Sequence, residues 1–250
     1  MGDSRMTTII QSYRTKDVPA WIQTCMGSVK QLAETNGWLY KFKGDEFFDL
    51  ASNKVKRQCE NNIYALSDVC RLLWIEKELK HSQQVIWLDA DVMVFRPSAF
   101  NITMPNNYGF AHELLFLKDN ALKYSLNNSV MMFEQKPRSI AALTLYLFRS
   151  KKILDNYPEG KVPRTAIGPM LLNNLPCKDT LNSVGLFTTA MMADFANQDF
   201  NKLTEYENLL GGQLSMANIC HFMRNRMVGS QQELFDKMYY KAVNNLLMVV

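Results

Sequence analysis

Two aspartates directly follow a short apolar segment, and their spacing predicts a metal site. Asp89 and Asp91 are separated by the small residue Ala90 and come after the apolar residues 85–88. In an extended backbone, residues two positions apart point to the same side, so we expect both carboxylates to face one site. Carboxylate oxygens are the ligands that Mg²⁺ and Mn²⁺ prefer. A metal held there would carry a diphosphate and neutralise the charge on a departing nucleotide.

The segment before these aspartates is expected to be a buried central strand. Strand-like segments at about residues 7–13, 38–42 and 84–89 alternate with helix-like segments at about 17–36 and 60–80. This alternation is typical of an α/β fold with a mixed, mostly parallel central sheet flanked by helices. Open sheets of this kind bind ligands at the carboxyl ends of their strands, which is where Asp89 and Asp91 are predicted to lie.

The pattern changes after Pro97, where the strands become longer and the helices less regular. Residues 108–116 and 129–133 are strand-like, and helices are predicted at about 137–154 and 165–175. Ser230 and Glu233 form a capping-box pattern before a last amphipathic helix. We predict a single domain over residues 1–250 with two halves that meet near residue 97.

The composition is that of an ordinary globular protein. The 250 residues carry a formal net charge of +4, with 47% hydrophobic and 21% charged residues, which excludes disorder and argues against nucleic-acid binding. No apolar stretch reaches the ~18 residues of a membrane-spanning helix, and the first residues lack the apolar run of a signal peptide. We therefore expect a cytoplasmic protein. Reduced thiols are expected for its scattered cysteines, which are Cys25, Cys59, Cys70, Cys177 and Cys220.

The pair Asp89 and Asp91 has other interpretations. One is a polar strand end without a chemical role. Another is a haloacid-dehalogenase-type phosphatase, in which the first aspartate attacks a phosphoryl group and the second acts as acid and base. Such an enzyme is expected to carry the acidic strand at the start of its fold and a further acidic pair later. In this sequence, the strand comes after nearly ninety residues, and a loosely suitable later pair is Asp194 with Asp199.

Several segments, taken in chain order, resemble nucleotide-sugar glycosyltransferases of the GT-A fold, especially families 8 and 32. The matching segments are residues 10–21, the Ser67-Asp68-x-x-Arg71 helix, the Asp89-x-Asp91 motif with residues 92–94, residues 128–133, residues 165–170 and residues 218–222. The resemblance implies a GT-A, Rossmann-like domain. It also implies that about residues 1–97 bind a nucleotide sugar and about residues 98–250 bind the acceptor.

The resemblance also implies a role for each matching residue. The base of the nucleotide would contact Gln11, Ser12 and Tyr13. The donor sugar would contact Asp68, Arg71, Asn128 and Ser129. The metal, Mn²⁺ or Mg²⁺, would be held by Asp89, Asp91 and His221. The Gly-x-x-Lys-Pro-Trp segment of family 8 is absent, so Arg224 or Arg226 would contact the diphosphate.

The catalytic base and the stereochemistry stay open in the sequence. An inverting transferase needs a carboxylate to deprotonate the acceptor hydroxyl, and the candidates are Glu113, Asp194 and Asp199. A retaining transferase can use the leaving diphosphate as its own base. The expected function is transfer of a sugar, of the hexosyl type, from a nucleoside diphosphate such as UDP to a hydroxyl of a glycan acceptor. A bacterial surface polysaccharide or a virus-encoded glycan, made in the host cytoplasm, fits this expectation. The alternative from another class is an inactive protein that binds nucleotide sugars.

Overall fold

The computed structural model describes residues 7–101, 103–116, 122–176 and 178–249. The strands of this part of the chain are β1 (Thr7–Ser12), β2 (Leu39–Lys43), β3 (Gln84–Leu88), β4 (Val92–Val94), β5 (Tyr108–Phe116), β6 (Leu122–Glu134), β7 (Asp179–Thr180), β8 (Val184–Leu186) and β9 (Met216–Asn218). Its α-helices are α1 (Ala20–Thr35), α2 (Asn53–Gln58), α3 (Ile63–Leu79), α4 (Pro137–Asn156), α5 (Pro169–Leu172), α6 (Thr189–Ala196), α7 (Asn201–Leu210) and α8 (Ser230–Leu246). 3₁₀ helices cover Asp45–Leu50, Pro97–Ala99 and His221–Arg226.

The larger sheet has six strands in the order β2-β1-β3-β6-β5-β7. β1 pairs in parallel with both β2 and β3, and β5 pairs in parallel with β7. β6 runs antiparallel to its neighbours β3 and β5. The prediction of an α/β fold with a mixed, mostly parallel sheet is therefore confirmed. Because β1 and β3 are parallel, the residues that follow Ser12 and Leu88 emerge at the same edge of the sheet.

A smaller sheet, in the order β4-β9-β8, closes this edge. β4 follows β3 after a short turn and pairs antiparallel with β9, with Val92 opposite Asn218. β9 also pairs in parallel with β8. The C-terminal part of the chain thereby returns beside the turn that carries Asp89 and Asp91.

α3 packs its buried face on the larger sheet and fixes the position of Asp68 and Arg71. The helix begins with an N-cap at Asn62, whose side chain accepts a hydrogen bond from the backbone N–H of Ala65. Its Trp74 meets Trp87 of β3 edge to face, with ring centroids 6.3 Å apart. Both indoles are buried and belong to the same apolar cluster between helix and sheet.

Two sequence predictions about helix boundaries are wrong. The helix predicted at residues 165–175 is reduced to α5, Pro169–Leu172. The proline disfavours a helical conformation at the preceding Gly168, so the helix begins after it. Ser230 is the first residue of α8 rather than its cap, because Gly229 takes the cap position with a φ of +56°.

The described cysteines Cys25, Cys59, Cys70 and Cys220 are free thiols. The same expectation for Cys177 lies outside the described residues. Among the helices of the described ranges, none is both long enough and apolar enough to cross a membrane.

Glu78, near the end of α3, is a buried carboxylate that ties the helix to the neighbouring strand β2. It accepts hydrogen bonds from Trp74 Nε1 at 2.9 Å and from Lys41 Nζ at 2.5 Å. Burial opposes its charge, but the hydrogen bonds from Lys41 and Trp74 outweigh burial and lower the pKa of Glu78 below its usual 4.5. The ionised form therefore stabilises the fold at neutral pH.

We expect Glu78→Gln to lower the free energy of unfolding by about 1–2 kcal/mol at neutral pH, because it removes the charged partner of the half-exposed Lys41. A depressed carboxyl pKa gives stability that is present above the unfolded-state value and is lost as pH falls through the folded-state value. The difference between Glu78→Gln and the native protein should therefore shrink below about pH 4. Urea unfolding across this range measures it, with the exposed Glu76→Gln on the same helix as control. A difference that grows on acidification would contradict this account.

Candidate active site

A cavity of about 490 Å³ lies at the carboxyl ends of β1 and β3. It collects most of the residues that the sequence predicted for the donor, the metal and the catalytic base. Of those, the residues that line the cavity are Ser12, Tyr13, Asp68, Arg71, Asp89, Asp91, Glu113 and Asn128. Both predicted halves of the chain contribute, since Glu113 and Asn128 belong to the second half.

Gln11 and Ser129 do not line the cavity but hold the backbone of Asp89 from beneath. The Gln11 side chain is buried, donates to the carbonyl oxygen of Asp89 at 3.2 Å and accepts from the Tyr40 hydroxyl at 2.9 Å. The carbonyl oxygen of Ser129 accepts from the backbone N–H of Asp89 at 2.7 Å. Both peptide groups of this aspartate are thereby fixed by buried partners.

Two further predicted residues are placed differently. Asp194 lies on α6 and is not among the described residues that line the cavity. The 3₁₀ turn His221–Arg226 begins at His221, but the side chain of this histidine lies outside the described part of the structure. Its predicted role as a metal ligand stays a prediction.

Asp89 and Asp91 lie in a turn, so the expectation of an extended backbone is wrong. The backbone N–H of Val92 donates to the carbonyl oxygen of Asp89 at 3.0 Å, which closes a β-turn between β3 and β4. Both carboxylates nevertheless line the same cavity. Asn218 at the end of β9 donates from Nδ2 to Asp91 Oδ1 at 2.7 Å, so the smaller sheet positions this carboxylate.

A single guanidinium group connects the acids of the site. Arg71 is buried, and its Nη1 lies 3.1 Å from Asp89 Oδ1 while its Nη2 lies 3.5 Å from Asp68 Oδ1. Nη1 also donates to the carbonyl oxygen of Asn128 at 2.9 Å. The guanidinium stacks over the ring of Trp87 at 5.0 Å, and the Trp87 indole N–H donates to Asp89 Oδ1 at 2.7 Å. A guanidinium can make these several contacts at once, which a lysine ammonium could not reproduce.

Burial disfavours the ionised forms of Asp68 and Asp89, the two acids beside Arg71. Burial raises the pKa of Asp68 to about 6, although Arg71 and the hydrogen bond from Asn128 Nδ2 favour its ionised form. Burial also raises the pKa of Asp89 to about 6 against the opposing effect of Arg71, and the neighbouring charge of Asp91 adds to the increase. Carboxylates perturbed in this way inside a cavity mark a candidate functional site.

Asp89 and Asp91 fit a divalent metal in part. Within the described residues, no group of three His, Cys, Asp or Glu side chains is arranged to hold an ion. Mg²⁺, however, is usually held by one or two carboxylates together with substrate phosphates and water. Two aspartates that share one cavity match that donor set, so they would hold the ion jointly with a bound ligand.

Several cavity residues were not predicted from the sequence. Tyr64 lies one helical turn before Asp68 on α3, and this spacing was the signal that could have identified it. Arg164 lies with its guanidinium 3.9 Å above the Tyr64 ring, a contact between distant segments that no local pattern predicts. Arg224, expected at the diphosphate, instead makes two 2.7 Å contacts with Asp236 and does not line the cavity.

Solved structures of glycosyltransferases are similar to this chain. A glycosyltransferase involved in the glycosylation of the major capsid of PBCV-1 is similar over 93% of this chain and 98% of that chain, at 11% sequence identity and a TM-score of 0.50. The PaToxG glycosyltransferase is similar over 97% of this chain and 87% of that chain, at 13% identity and a TM-score of 0.38. No protein-family model and no curated protein matches the sequence. The likeness to the capsid glycosyltransferase shows a shared fold.

We expect Arg71→Gln to lower the free energy of unfolding by about 3 kcal/mol at neutral pH, because it leaves two buried carboxylates without their cation. The unfolded chain loses these protons near the usual 3.8, whereas the folded chain keeps them to about pH 6. Ionisation of these acids therefore lowers stability as pH rises through this window, and more strongly without Arg71. The loss in Arg71→Gln should be smaller at about pH 5 than at about pH 7.5.

Urea unfolding at both pH values measures this difference. The matched control is Arg57→Gln, whose exposed guanidinium pairs with exposed Glu159. An equal loss at both pH values would show that Arg71 acts through packing rather than charge.

Proposed function

We propose that this chain is a metal-dependent glycosyltransferase that moves a sugar from a nucleoside diphosphate, UDP, to a hydroxyl of a glycan acceptor. The observation that carries the proposal is the cavity in which the Asp89 and Asp91 turn meets the cluster of Asp68, Arg71 and Asn128. This cavity lies in a fold shared with a glycosyltransferase involved in the glycosylation of the major capsid of PBCV-1.

The charge of the cavity supports a divalent cation. Among the described residues that line it, four carboxylates stand against two guanidinium groups. A nucleoside diphosphate is itself an anion and would be repelled by this excess. Mg²⁺ or Mn²⁺ at Asp89 and Asp91 would offset the repulsion and supply Lewis-acid stabilisation of the leaving diphosphate.

The order of strands suggests an order of donor groups along the edge of the sheet. Ser12 and Tyr13 follow β1 and would contact the nucleotide base. The aspartate turn follows the adjacent β3 and would hold the diphosphate with its metal. Asn128 lies on β6, the next strand, where the sugar would contact it. A donor laid across these strands would meet base, diphosphate and sugar contacts in sequence.

Asp68 and Asn128 are the groups proposed to contact sugar hydroxyls. Asn128 Nδ2 donates a hydrogen bond to Asp68 Oδ1 at 2.8 Å, which holds the amide and the carboxylate side by side. Arg71 was expected to contact the sugar as well. Its Nη atoms already meet Asp89, Asp68 and the Asn128 carbonyl, so we assign it the role of positioning the two acids.

The other readings of the aspartate pair receive less support. A phosphatase would need Asp89 as an attacking nucleophile, but one of its oxygens already accepts from Trp87 and faces Arg71. An inactive binder differs from the proposed enzyme by its lack of turnover. The acceptor would be bound by the second half of the chain, which contributes Glu113 and Leu186 to the cavity. We propose that the enzyme works in the cytoplasm.

The metal site is tested by isothermal titration of UDP with and without Mn²⁺. We expect Mn²⁺ to strengthen binding of UDP to the native protein, and Asp91→Asn to weaken Mn²⁺-dependent binding by at least about tenfold, since it removes one charged metal ligand. Asp155→Asn, at an exposed ion pair with Lys54, is the matched control. Binding that is the same with and without the metal in both proteins would refute the metal site.

A panel of UDP-sugars with Mn²⁺, assayed for released UDP, tests turnover. Hydrolysis of at least one donor supports the enzyme. Metal-dependent UDP binding without release from any donor, in the presence of candidate glycans, would identify the inactive binder instead.

The sugar subsite is tested at Gly168. A Cβ atom at this position would lie 2.9 Å from Asp68 Oδ2 and 3.1 Å from Asn128 Nδ2, and both groups are short and buried. We expect Gly168→Ala to displace them and raise the KM for the UDP-sugar by about tenfold or more, because small misplacements of contact groups are costly. The affinity for UDP alone should stay near that of the native protein. An equal loss for UDP and UDP-sugar would place Asp68 and Asn128 away from the sugar.

A further inference from the structure

We infer that Tyr146 is a positioning residue for the donor sugar, because its hydroxyl group holds the loop that packs against Asp68 and Asn128. This loop comprises residues 163–168, directly before α5, and is named the subsite loop. The inference rests on the proposed function. It adds to that function a buried residue of α4 that does not line the cavity.

The subsite loop forms one wall of the proposed sugar subsite. Its last residue, Gly168, comes so close to both contact groups that a Cβ atom there would lie 2.9 Å from Asp68 Oδ2 and 3.1 Å from Asn128 Nδ2. Thr165 of the loop and the following Pro169 line the cavity. A displacement of the loop would therefore move the wall against which Asp68 and Asn128 are packed.

Side chains from two helices hold this part of the chain. The loop forms turns rather than a helix or a strand, so its backbone groups need partners from other elements. Just before the loop, Asn62 Nδ2 donates to the carbonyl oxygen of Val162 at 2.9 Å. Near the end of the loop, the Tyr146 hydroxyl donates to the carbonyl oxygen of Ile167 at 2.9 Å. Ile167 directly precedes Gly168, so the tyrosine makes the contact closer to the sugar subsite.

The Tyr146 side chain is fixed within the core. It lies on the buried face of α4 and meets Phe110 of β5 edge to face, with ring centroids 6.2 Å apart. Burial raises the pKa of Tyr146 well above its usual value, and the nearby charge of Asp68 adds to the increase, so the hydroxyl keeps its proton. A phenol has one proton to donate, and the Ile167 carbonyl accepts it. Tyr146 therefore acts on the loop and not on the substrate.

Loss of this hydrogen bond should affect the sugar contacts more than the nucleotide contacts. Ile167 is fully buried, and a buried carbonyl group without a donor is unfavourable. In Tyr146→Phe the loop would shift to relieve this cost, and Gly168 would move relative to Asp68 and Asn128. The proposed contacts to the base and the diphosphate follow β1 and β3, outside this loop, and should stay in place.

Kinetics of Tyr146→Phe test the role in sugar binding. For a UDP-sugar that the panel shows to be hydrolysed, we expect kcat/KM to fall by about three- to tenfold, the factor that one hydrogen bond of ordinary strength represents. The Kd for UDP with Mn²⁺ should change by less than about twofold. The matched control is Tyr108→Phe. Tyr108 is a buried tyrosine of the same apolar cluster, and its hydroxyl donates to the carbonyl oxygen of Pro176, after α5.

A double variant tests whether Tyr146 acts through the loop. Gly168→Ala disturbs the same loop at its contact with Asp68, and effects of residues that share a backbone shift do not add. We expect Tyr146→Phe with Gly168→Ala to lose clearly less kcat/KM for the UDP-sugar than the product of the two single losses. Losses that multiply fully would show that the tyrosine acts independently of the loop and would overturn the inference.

Hydrogen exchange of the whole protein, followed by mass spectrometry without any ligand, tests the contact itself. Peptides that cover residues 163–172 should exchange about three- to tenfold faster in Tyr146→Phe than in the native protein, because the loop opens more often. Tyr108→Phe should leave these peptides at the native rate. Unchanged exchange in Tyr146→Phe would overturn the inference whatever the kinetics show.

The remaining outcomes separate the inference from the proposed function. Turnover by the native protein with an unchanged kcat/KM for the UDP-sugar in Tyr146→Phe would overturn the inference and leave the function standing. An equal loss of affinity for UDP, or a comparable loss in Tyr108→Phe, would show a general effect on the fold and would also overturn the inference. Failure of the native protein to hydrolyse any donor would contradict both.

Discussion

The ion cluster of Arg71 with Asp68 and Asp89 is the interaction on which the site depends. It joins helix α3 to the end of strand β3 and, through the carbonyl oxygen of Asn128, to strand β6. Buried ion pairs of this kind seldom add net stability, because desolvation offsets the attraction between the charges. The raised pKa values of Asp68 and Asp89, each about 6, show that this cost is present here. Carboxylates perturbed in this way inside a cavity mark a candidate functional site rather than a source of stability.

The backbone of Asp89 is fixed by residues that do not line the cavity. Gln11 and Ser129 hold the two peptide groups of Asp89, and Tyr40 in turn holds Gln11. Asn218 positions Asp91 from the smaller sheet. Since β9 pairs with β4, this contact depends on a return of the chain from far along the sequence. The carboxylates are therefore preorganised by buried polar groups on three separate strands, which is the arrangement that the proposed metal and diphosphate site requires.

The first half of the fold, and the position of Asp89 and Asp91 after a buried strand, were predictable from the sequence because their signals are local. The apolar run before Asp89, the helix that carries Asp68 and Arg71, and the strand that ends at Ser12 each have a periodicity within one element. The prediction of a helix at residues 165–175 was wrong, because the local apolar pattern does not show that the helix begins only at Pro169. Arg164 above Tyr64 and Asn218 beside Asp91 are contacts between distant segments, which no local pattern encodes. The turn at Ala90 contradicts the expectation of an extended backbone between Asp89 and Asp91, but both carboxylates still line the same cavity.

The environments of the four cavity carboxylates separate their proposed roles. Asp68 and Asp89 both lie against the Arg71 guanidinium. Asp91 accepts a hydrogen bond from the Asn218 amide at the end of β9. Glu113 accepts hydrogen bonds from the Ser125 hydroxyl and the Asn127 amide. Where acidic groups of one site lie in different surroundings, those surroundings decide which one exchanges a proton and which one holds a charge. Two consecutive asparagines on β6 achieve this separation, since Asn128 contacts the acid beside Arg71 and Asn127 contacts the acid without a cationic contact in the described structure. The two asparagines thereby hold two carboxylates of one cavity in different surroundings.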